Sequence, residues 1–187
     1  MNICVYCSSS DAVAKVHFEA ARALGQGIAA RRDALIYGGA DVGLMGALAR
    51  EVKAGKGIVV GVMPYLLQDK RITFDGADEL VYTRDMRARK AIMEERADAF
   101  VILPGGFGTL EELAEILTLR QLGVHTKPIV LLNTASFYDP LIELFEHFYR
   151  EKFAKPSREL YHIATAVEDV FGYLDHYEPA APTDQCG

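Results

Sequence analysis

The sequence predicts an open α/β fold of the Rossmann type, in which a mostly parallel sheet carries helices on both faces. Short apolar segments alternate with longer segments of helical periodicity along nearly the whole chain. Segments such as FVIL and IVLL are apolar at every position, which indicates strands covered on both faces. Alternating strands and helices within one domain are typical of a doubly wound sheet. We therefore expect one nucleotide-binding domain over residues 1–178 and a flexible tail over 179–187.

Each element follows from the local pattern. Strands are predicted where short apolar runs occur, and helices where apolar residues recur every three or four positions. The predicted strands cover residues 2–7, 34–37, 58–63, 80–83, 99–103 and 129–133, with a last one near Ile163. The predicted helices cover residues 12–31, 43–54, 84–97, 109–122, 137–152 and 167–177. All but the last of these helices would connect one strand to the next, as in a parallel sheet, and a loop would join the strands at 58–63 and 80–83.

The composition is that of an ordinary globular protein. Of the 187 residues, 50% are hydrophobic and 25% are charged, which is typical of globular domains. The formal net charge of -6 repels nucleic acid, and no apolar run approaches the roughly 20 residues that cross a bilayer. Residues 1–7 have the pattern of a strand and lack the basic start of a signal peptide. We expect a cytoplasmic protein that binds neither nucleic acid nor membrane.

Cysteines and histidines do not indicate a redox or metal centre. Cys4 and Cys7 spell C-x-x-C, but residues three apart on a strand point to opposite faces. The five histidines are scattered along the chain without paired spacing. Because neither residue type gathers ligands, we expect no metal and no other cofactor.

A glycine-rich stretch, PGGFGTLEE, follows the fifth predicted strand at the edge where α/β sheets bind ligands. Pro104 ends the strand because it lacks an amide donor. Gly105, Gly106 and Gly108 permit positive φ and close approach of the backbone to a ligand, and Thr109 can cap the helix. The first amides of that helix would then point into the crevice, where they suit a phosphate. A tight turn without a ligand is the alternative.

A second glycine-rich stretch, YGGADVGLMG, follows the second predicted strand and contains Gly38 and Gly39. By itself it is weak evidence and is equally compatible with a simple turn. Neither stretch matches the dinucleotide fingerprint G-x-G-x-x-G or the P-loop G-x-x-x-x-G-K-[ST]. Two glycine turns without the P-loop lysine favour a mononucleotide as ligand.

Two adjacent glutamates, Glu111 and Glu112, fall in the predicted first turn of the helix after PGGFG. A carboxylate there can simply favour the helix dipole. However, a carboxylate does not help to bind a phosphate. If Glu112 faces the crevice, it suits the sugar, where positive charge develops during glycosidic cleavage.

A basic segment, RDMRARKAIMEER, precedes the fifth strand. Met86 and Met93 are seven residues apart and define one apolar stripe, and Arg89 and Lys90 fall along it. A cation on an apolar stripe needs a carboxylate or an anionic ligand as partner. The two arginines at the start of the segment are expected in solvent, namely Arg84 and Arg87.

Together these motifs closely resemble the Lonely Guy family, the cytokinin riboside 5′-monophosphate phosphoribohydrolases, many of whose bacterial relatives carry the label lysine decarboxylase. That family has P-G-G-x-G-T-x-x-E and M-H-x-R-K, and this chain has PGGFGTLEE and MRARK. The resemblance runs from ICVYCSSS to RQLGVHTKPIVLLN, which is nearly the whole chain. The combination is far more specific than either glycine turn.

The resemblance implies a hydrolase that releases adenine or an N6-substituted purine from a nucleoside 5′-monophosphate and leaves ribose 5-phosphate. It implies that Arg89 and Glu112 are the catalytic pair. The substrate-binding positions, from the resemblance and the two glycine turns, are Lys90, Gly105, Gly106, Phe107, Gly108, Thr109, Leu110, Glu111, Thr118, Gly38 and Gly39. A non-catalytic nucleotide-binding protein is the alternative. A pyridoxal-phosphate decarboxylase needs a Schiff-base lysine, and no lysine here has a supporting motif.

The resemblance also implies a homodimer. One sequence feature supports it, because the helix after PGGFG carries more apolar residues than one sheet face needs, from Leu110 to Leu122. A fully covered core helix is the alternative. The chain departs from the family pattern at four places: Ala40, Arg71, Arg87 and the pair Leu119 and Arg120. Because of these departures, the resemblance does not determine which base the protein prefers.

Overall fold

The computed structural model describes residues 1–68, 72–155 and 160–179, which contain one seven-stranded sheet and seven α-helices. The strands are β1 Asn2–Tyr6, β2 Ala34–Tyr37, β3 Ile58–Pro64, β4 Glu79–Thr83, β5 Ala99–Ile102, β6 Ile129–Leu132 and β7 His162–Ala164. The helices are α1 Lys15–Ala30, α2 Gly43–Ala54, α3 Tyr65–Gln68, α4 Met86–Arg96, α5 Phe107–Gln121, α6 Asp139–Arg150 and α7 Val167–Asp175. All neighbouring strands pair in parallel, so the predicted α/β, Rossmann-like class is confirmed.

The strand order places a crevice beside PGGFGT. The order is β4-β3-β2-β1-β5-β6-β7, so the chain winds outward from β1 in both directions. Ligands of such sheets bind where the order reverses, at the carboxyl ends of the two central strands. Here these are β1 and β5, and the segments that follow them meet: Ser8 N donates to Pro104 O at 3.2 Å. The phosphate-binding stretch predicted from sequence therefore lies at the switch point.

Two apolar cores cover the two faces of the sheet, because strand side chains alternate between faces. Ile3 and Val5 of β1 face the core formed with α1, α2 and α7. Cys4 and Tyr6 face the core formed with α4, α5 and α6. Cys7 lies in the first core and Cys4 in the second, which confirms that the C-x-x-C residues point to opposite faces.

Several element ends differ from the prediction for local reasons. The helix predicted from residue 84 begins at Met86, because Asp85 caps it by accepting a hydrogen bond from Ala88 N at 2.8 Å. The helix predicted from residue 137 begins at Asp139, after a turn over residues 134–136. The short helix α3 has no signal in the sequence pattern.

The predicted tail, 179–187, falls outside the described residues except for its first position. Arg71 lies outside them as well. Across the described ranges, no helix combines the length and the apolar character that crossing a bilayer requires.

The turn after β6 is strained. Ala135 and Ser136 have φ of 54° and 57°, a left-handed conformation that costs non-glycine residues roughly 1–2 kcal/mol each. We expect Ser136→Gly to raise the free energy of unfolding in urea by about 0.5–1 kcal/mol, since relief of strain exceeds the entropic cost of glycine. Ala23→Gly, at an exposed position within α1, should instead lower it by about 1 kcal/mol. A Ser136→Gly protein less stable than the parent would contradict this account.

Candidate active site

A buried arginine–glutamate pair lies beside the switch point. Arg89 of α4 donates from Nη1 to Glu112 Oε1 of α5 at 2.9 Å, and from Nε to Val62 O of β3 at 2.9 Å. Gly38, at the end of β2, makes room for this arginine, because a Cβ at Gly38 would overlap with Nη2. Two hydrogen bonds to different elements, β3 and α5, hold the guanidinium and fix its direction, and the missing side chain of Gly38 gives it room.

Burial determines the electrostatics of this pair. Arg89 and Glu112 are only 8% and 9% exposed. Burial raises the pKa of the Glu112 carboxyl, and the ion pair and hydrogen bond with Arg89 oppose that shift only in part. A carboxyl with a raised pKa and a fixed cationic partner has the properties of a catalytic acid–base group.

The amino end of α5 is open to a ligand. Gly106 is the N-cap, and the first helical bond runs from Leu110 N to Gly106 O at 3.0 Å. The amides of Phe107, Gly108 and Thr109 precede that bond, so the helix offers them no acceptor. A Cβ at Gly106 or Gly108 would have no atom within 4 Å. Open space in front of three helix-terminal amides is the arrangement that binds a phosphate.

Two expectations for this stretch are wrong in detail. Positive φ occurs at Gly39, Gly43 and Gly123 among the described glycines, and not at the three glycines of PGGFG. Gly106 and Gly108 leave open space, whereas Gly105 allows close packing against Thr109, whose side chain a Cβ at Gly105 would overlap. Thr109 is not the cap, since α5 begins two residues before it at Phe107.

Consequently both glutamates of PGGFGTLEE lie in the second turn of α5, and the first turn contains no acidic residue. The first turn is therefore free of carboxylates that would repel an anion. Glu112 is buried toward the sheet edge, whereas the Glu111 side chain is 59% exposed. Only Glu112 reaches Arg89.

The second glycine turn is largely occupied by the protein itself. Gly39 O accepts from Phe74 N at 3.0 Å, and Gly43 N donates to Asp11 Oδ1 at 2.9 Å. A Cβ at Gly43 would overlap with the backbone of Ser9. Gly38 serves the site through Arg89, and direct substrate binding by Gly38 and Gly39 stays a prediction.

The cationic side chains of the basic segment that contains α4 lie in two environments, some buried and some exposed to solvent. Arg89 and Met93 are its buried residues, but Met86 is 43% exposed, so the predicted two-methionine stripe is wrong at its first member. Met86 is the first residue of α4 and lies about one turn before Arg89, where burial of this helix begins. The expectation that the two early arginines face solvent is confirmed, as Arg84 and Arg87 are exposed.

Lys90 takes an internal partner. Its Nζ bonds to Glu111 Oε1 and to Glu115 Oε2, the latter at 2.7 Å. Burial acts to lower the pKa of Lys90, but the two carboxylates outweigh it and the pKa is raised. The sequence analysis missed Glu115, although its position four residues after Glu111 places both on one face of α5.

The remaining predicted positions lie further along α5. Phe107 is 93% exposed and Leu110 is also exposed. Thr118 Oγ1 donates to Ala114 O of its own helix at 2.7 Å. Thr118 and Leu110 line a cavity of about 190 Å³ between α5 and α6, whose lining includes neither Arg89 nor Glu112. Within the described part of the chain, no three His, Cys, Asp or Glu side chains gather in a way that could hold a metal ion.

The doubly wound parallel sheet, with an open helix terminus at its switch point, places the chain in the class of Rossmann-like α/β proteins. Residues 45–174 match the family model described as "Possible lysine decarboxylase". The chain is 42% identical over 178 residues to a cytokinin riboside 5′-monophosphate phosphoribohydrolase of Arabidopsis thaliana, covering 95% of this chain and 82% of that protein. A probable enzyme of the same name from Oryza sativa subsp. japonica is 40% identical over 178 residues, covering 95% and 73%. The chain belongs to this family.

Solved structures agree on the fold. The molybdenum cofactor carrier protein of Chlamydomonas reinhardtii superposes with a TM-score of 0.71 at 25% identity, covering 93% of this chain and 95% of that one. The molybdenum cofactor binding protein of Rippkaea orientalis gives a TM-score of 0.69 at 22% identity, covering 93% of each chain. At 22–25% sequence identity, these superpositions show that the proteins share a fold and nothing more.

Proposed function

We propose that this protein hydrolyses the N-glycosidic bond of a purine nucleoside 5′-monophosphate, AMP or an N6-substituted AMP, to the free base and ribose 5-phosphate. The observation that carries the proposal is the buried Arg89–Glu112 pair beside the open amides of α5. The names of relatives about 40% identical to this chain support the same reaction. We also propose that the protein acts in the cytoplasm.

The geometry suggests how each group acts. The amides of Phe107, Gly108 and Thr109 hold the 5′-phosphate. Glu112 lies three residues after Thr109, about 4.5 Å further along the helix axis, where the ribose of a bound nucleotide follows its phosphate. The Glu112 carboxylate stabilises the oxocarbenium-like ribose and accepts a proton from the attacking water.

The bond changes are simple. The water oxygen bonds to C1′ of the ribose as the bond from C1′ to the purine nitrogen breaks. The electron pair of that bond leaves with the purine, which takes up a proton. Arg89 donates hydrogen bonds to the substrate and assists departure of the base.

Two other functions are less well supported. A nucleotide-binding protein without catalysis would use the same phosphate loop, but it has no need of a buried carboxyl fixed by an arginine. A decarboxylase with pyridoxal phosphate needs a lysine that loses its proton to form the Schiff base. Lys90 lies near the site, but its two carboxylate partners favour the protonated form.

The direct experiment is a chromatographic screen of nucleoside 5′-monophosphates for release of free base, with the wild-type protein and Glu112→Gln in parallel. We expect base from AMP or an N6-substituted AMP with the wild type and almost none with the variant. Tight nucleotide binding without base release by either protein would support the binding alternative and overturn the proposal.

We also propose that two copies of the chain associate through α5 and α6. No residue of α6 is fully buried, although one of its faces carries Leu144, Phe145 and Phe148. Leu110 of α5 and Leu122, the residue after its end, are exposed as well. Leu110, Phe145 and Phe148 also line the cavity between α5 and α6, so the exposed apolar side chains are contiguous, which is typical of a surface covered by a partner.

Light scattering at micromolar concentration should give twice the chain mass of 20.6 kDa. The double variant Leu144→Glu and Phe148→Glu should shift the mass to that of one chain, because buried carboxylates cost more than the apolar contact supplies. Val16→Glu, at an exposed apolar position of α1 on the other face, should leave the dimer intact. A wild-type mass of one chain would count decisively against the association.

A further inference from the structure

The segment between β6 and α6 reaches back to the end of β5. Tyr138, the residue before α6, donates a hydrogen bond from its hydroxyl to Leu103 O at 2.7 Å. Leu103 lies between β5 and Pro104, so this bond ends directly in front of PGGFGT, residues 104–109, which we call the phosphate loop. Tyr138 is only 5% exposed and Leu103 is fully buried. Water therefore does not compete for the bond, which strengthens it.

We propose that Tyr138 is a positioning residue of the phosphate site, which holds the phosphate loop, through Leu103 O, in the conformation that receives the 5′-phosphate. The inference rests on the proposed function, because the phosphate in question is that of the proposed substrate. Neither of the glycine-rich stretches nor the basic segment contains Tyr138. Its relation to the site therefore comes from the tertiary structure.

The proline of the loop makes this bond necessary. The peptide between Leu103 and Pro104 has no N–H, because proline lacks an amide hydrogen. Leu103 O is therefore the one atom by which a hydrogen bond can hold that peptide, and Tyr138 is the donor that the described residues supply to it. The next peptide is held in the same way, since Ser8 N donates to Pro104 O at 3.2 Å. Two successive peptides at the entrance of the loop are thus each fixed through their carbonyl.

The rest of the loop depends on that entrance. A Cβ at Gly106 or Gly108 would meet no atom within 4 Å, so side-chain packing does not restrain these two positions. Glycine also has the largest conformational freedom of any residue. The conformation of the loop is therefore imposed from its two ends, namely from α5 on one side and from Leu103 and Pro104 on the other.

The turn after β6 places Tyr138 for this contact. The chain reverses over residues 134–136, two of which have φ of 54° and 57°. Asn133 closes the turn, because its Oδ1 accepts from Tyr138 N at 2.7 Å and its Nδ2 donates to Asp139 Oδ1 at 2.7 Å. Backbone in such conformations persists where the surrounding contacts determine it. Asn133 therefore holds the backbone from which the Tyr138 ring reaches Leu103.

The hydroxyl of Tyr138 acts as a donor and not as a catalytic group. Burial raises the pKa of Tyr138, so the hydroxyl keeps the proton that it donates to Leu103 O. Because the side chain is buried and its hydroxyl is engaged by the backbone, we expect it to affect the substrate only through the loop. Phenylalanine at this position keeps the ring among the same apolar neighbours and removes the hydrogen bond alone.

The experiment compares Tyr138→Phe with Tyr37→Phe in the full-length protein. Tyr37 is fully buried as well, but its hydroxyl has no hydrogen-bond partner within the described residues, so the same chemical change breaks no bond there. Inorganic phosphate is titrated into each ¹⁵N-labelled protein, and the amide signal of Gly108 is followed by NMR. Tyr138→Phe should lower the affinity for phosphate about 10-fold, and Tyr37→Phe should leave it within about 2-fold of the wild type.

Kinetics on two substrates distinguish positioning from a general loss of structure. Tyr138→Phe should lower kcat/KM for AMP about 10-fold and leave the slow reaction of adenosine nearly unchanged, because adenosine has no phosphate for the loop to hold. Asn133→Ala should lower the ratio of AMP to adenosine in the same direction and by less. The side chain of Asn133 bonds to Tyr138 and Asp139 and not to the loop, so its effect must pass through Tyr138.

The outcomes separate this inference from the proposed function. An unchanged phosphate affinity in Tyr138→Phe, or a Gly108 signal that does not respond to phosphate in the wild type, would overturn the positioning role. Equal losses on AMP and adenosine would make Tyr138 a structural residue and overturn it too. If Tyr138→Phe does not fold by circular dichroism, Asn133→Ala decides. Because phosphate binding needs no turnover, weaker binding by Tyr138→Phe beside a wild type that releases no base would refute the proposed function alone.

Discussion

AMP should be hydrolysed roughly 10³-fold faster than adenosine in kcat/KM. Charge-assisted hydrogen bonds contribute about 1.5–3 kcal/mol each, and three amides at the start of α5 are free to form them. Two or three such bonds, after the cost of removing water from the phosphate, leave about 4 kcal/mol, at 1.4 kcal/mol per factor of ten. Part of the effect should appear in kcat, because phosphate binding positions the ribose against Glu112. The measurement is base release from both substrates under identical conditions.

A glycine variant sharpens this test. Gly106→Ala should fold normally, since a Cβ there meets no protein atom within 4 Å. If the space serves a phosphate, the added methyl should lower kcat/KM for AMP and leave the slow reaction of adenosine nearly unchanged. Equal rates on nucleoside and nucleotide would mean that this loop is not a phosphate site.

Glu112→Gln should lower turnover of AMP by ~10²-fold or more with the fold preserved. The loss of one preorganised electrostatic group costs roughly 3 kcal/mol of transition-state stabilisation, and glutamine can neither take the water proton nor stabilise a cation. Glu111→Gln is the matched control on the same helix and should be much milder. A dead Glu111→Gln together with an active Glu112→Gln would reverse the assignment.

Arg89 should behave as the other half of the pair. Arg89→Ala should also lose ~10²-fold or more in turnover, but it leaves Glu112 buried without its cation, which lowers stability. Arg89→Lys keeps the charge and cannot reach both Val62 O and Glu112 in the same geometry. We expect a folded protein with strongly reduced kcat from Arg89→Lys, checked by thermal denaturation beside the kinetics.

Much of the site could be predicted before the structure because its signals are local. Pro104 and the glycines after it mark a strand–helix turn, whose helix terminus necessarily leaves free amides. An arginine at a position with apolar helical spacing requires a partner. The family motifs then assigned both Arg89 and Glu112. Some details were predicted wrongly, such as the start of α5, which is Phe107 and not Thr109. The residue at which a helix begins depends on backbone geometry, and the same local sequence is compatible with several starts.

The amino-acid sequence by itself determined the type and order of most elements and the parallel sheet with two covered faces, because hydrophobic periodicity is a property of the chain. The sequence motifs likewise identified the pair of residues proposed for catalysis. Only the tertiary structure decided which glutamate is buried. Successive helix residues point about 100° apart, and α5 is turned by packing Leu113 and Ile116 against the sheet. It also decided that Lys90 binds Glu111 and Glu115, because α4 and α5 approach each other only after both have packed on the same face.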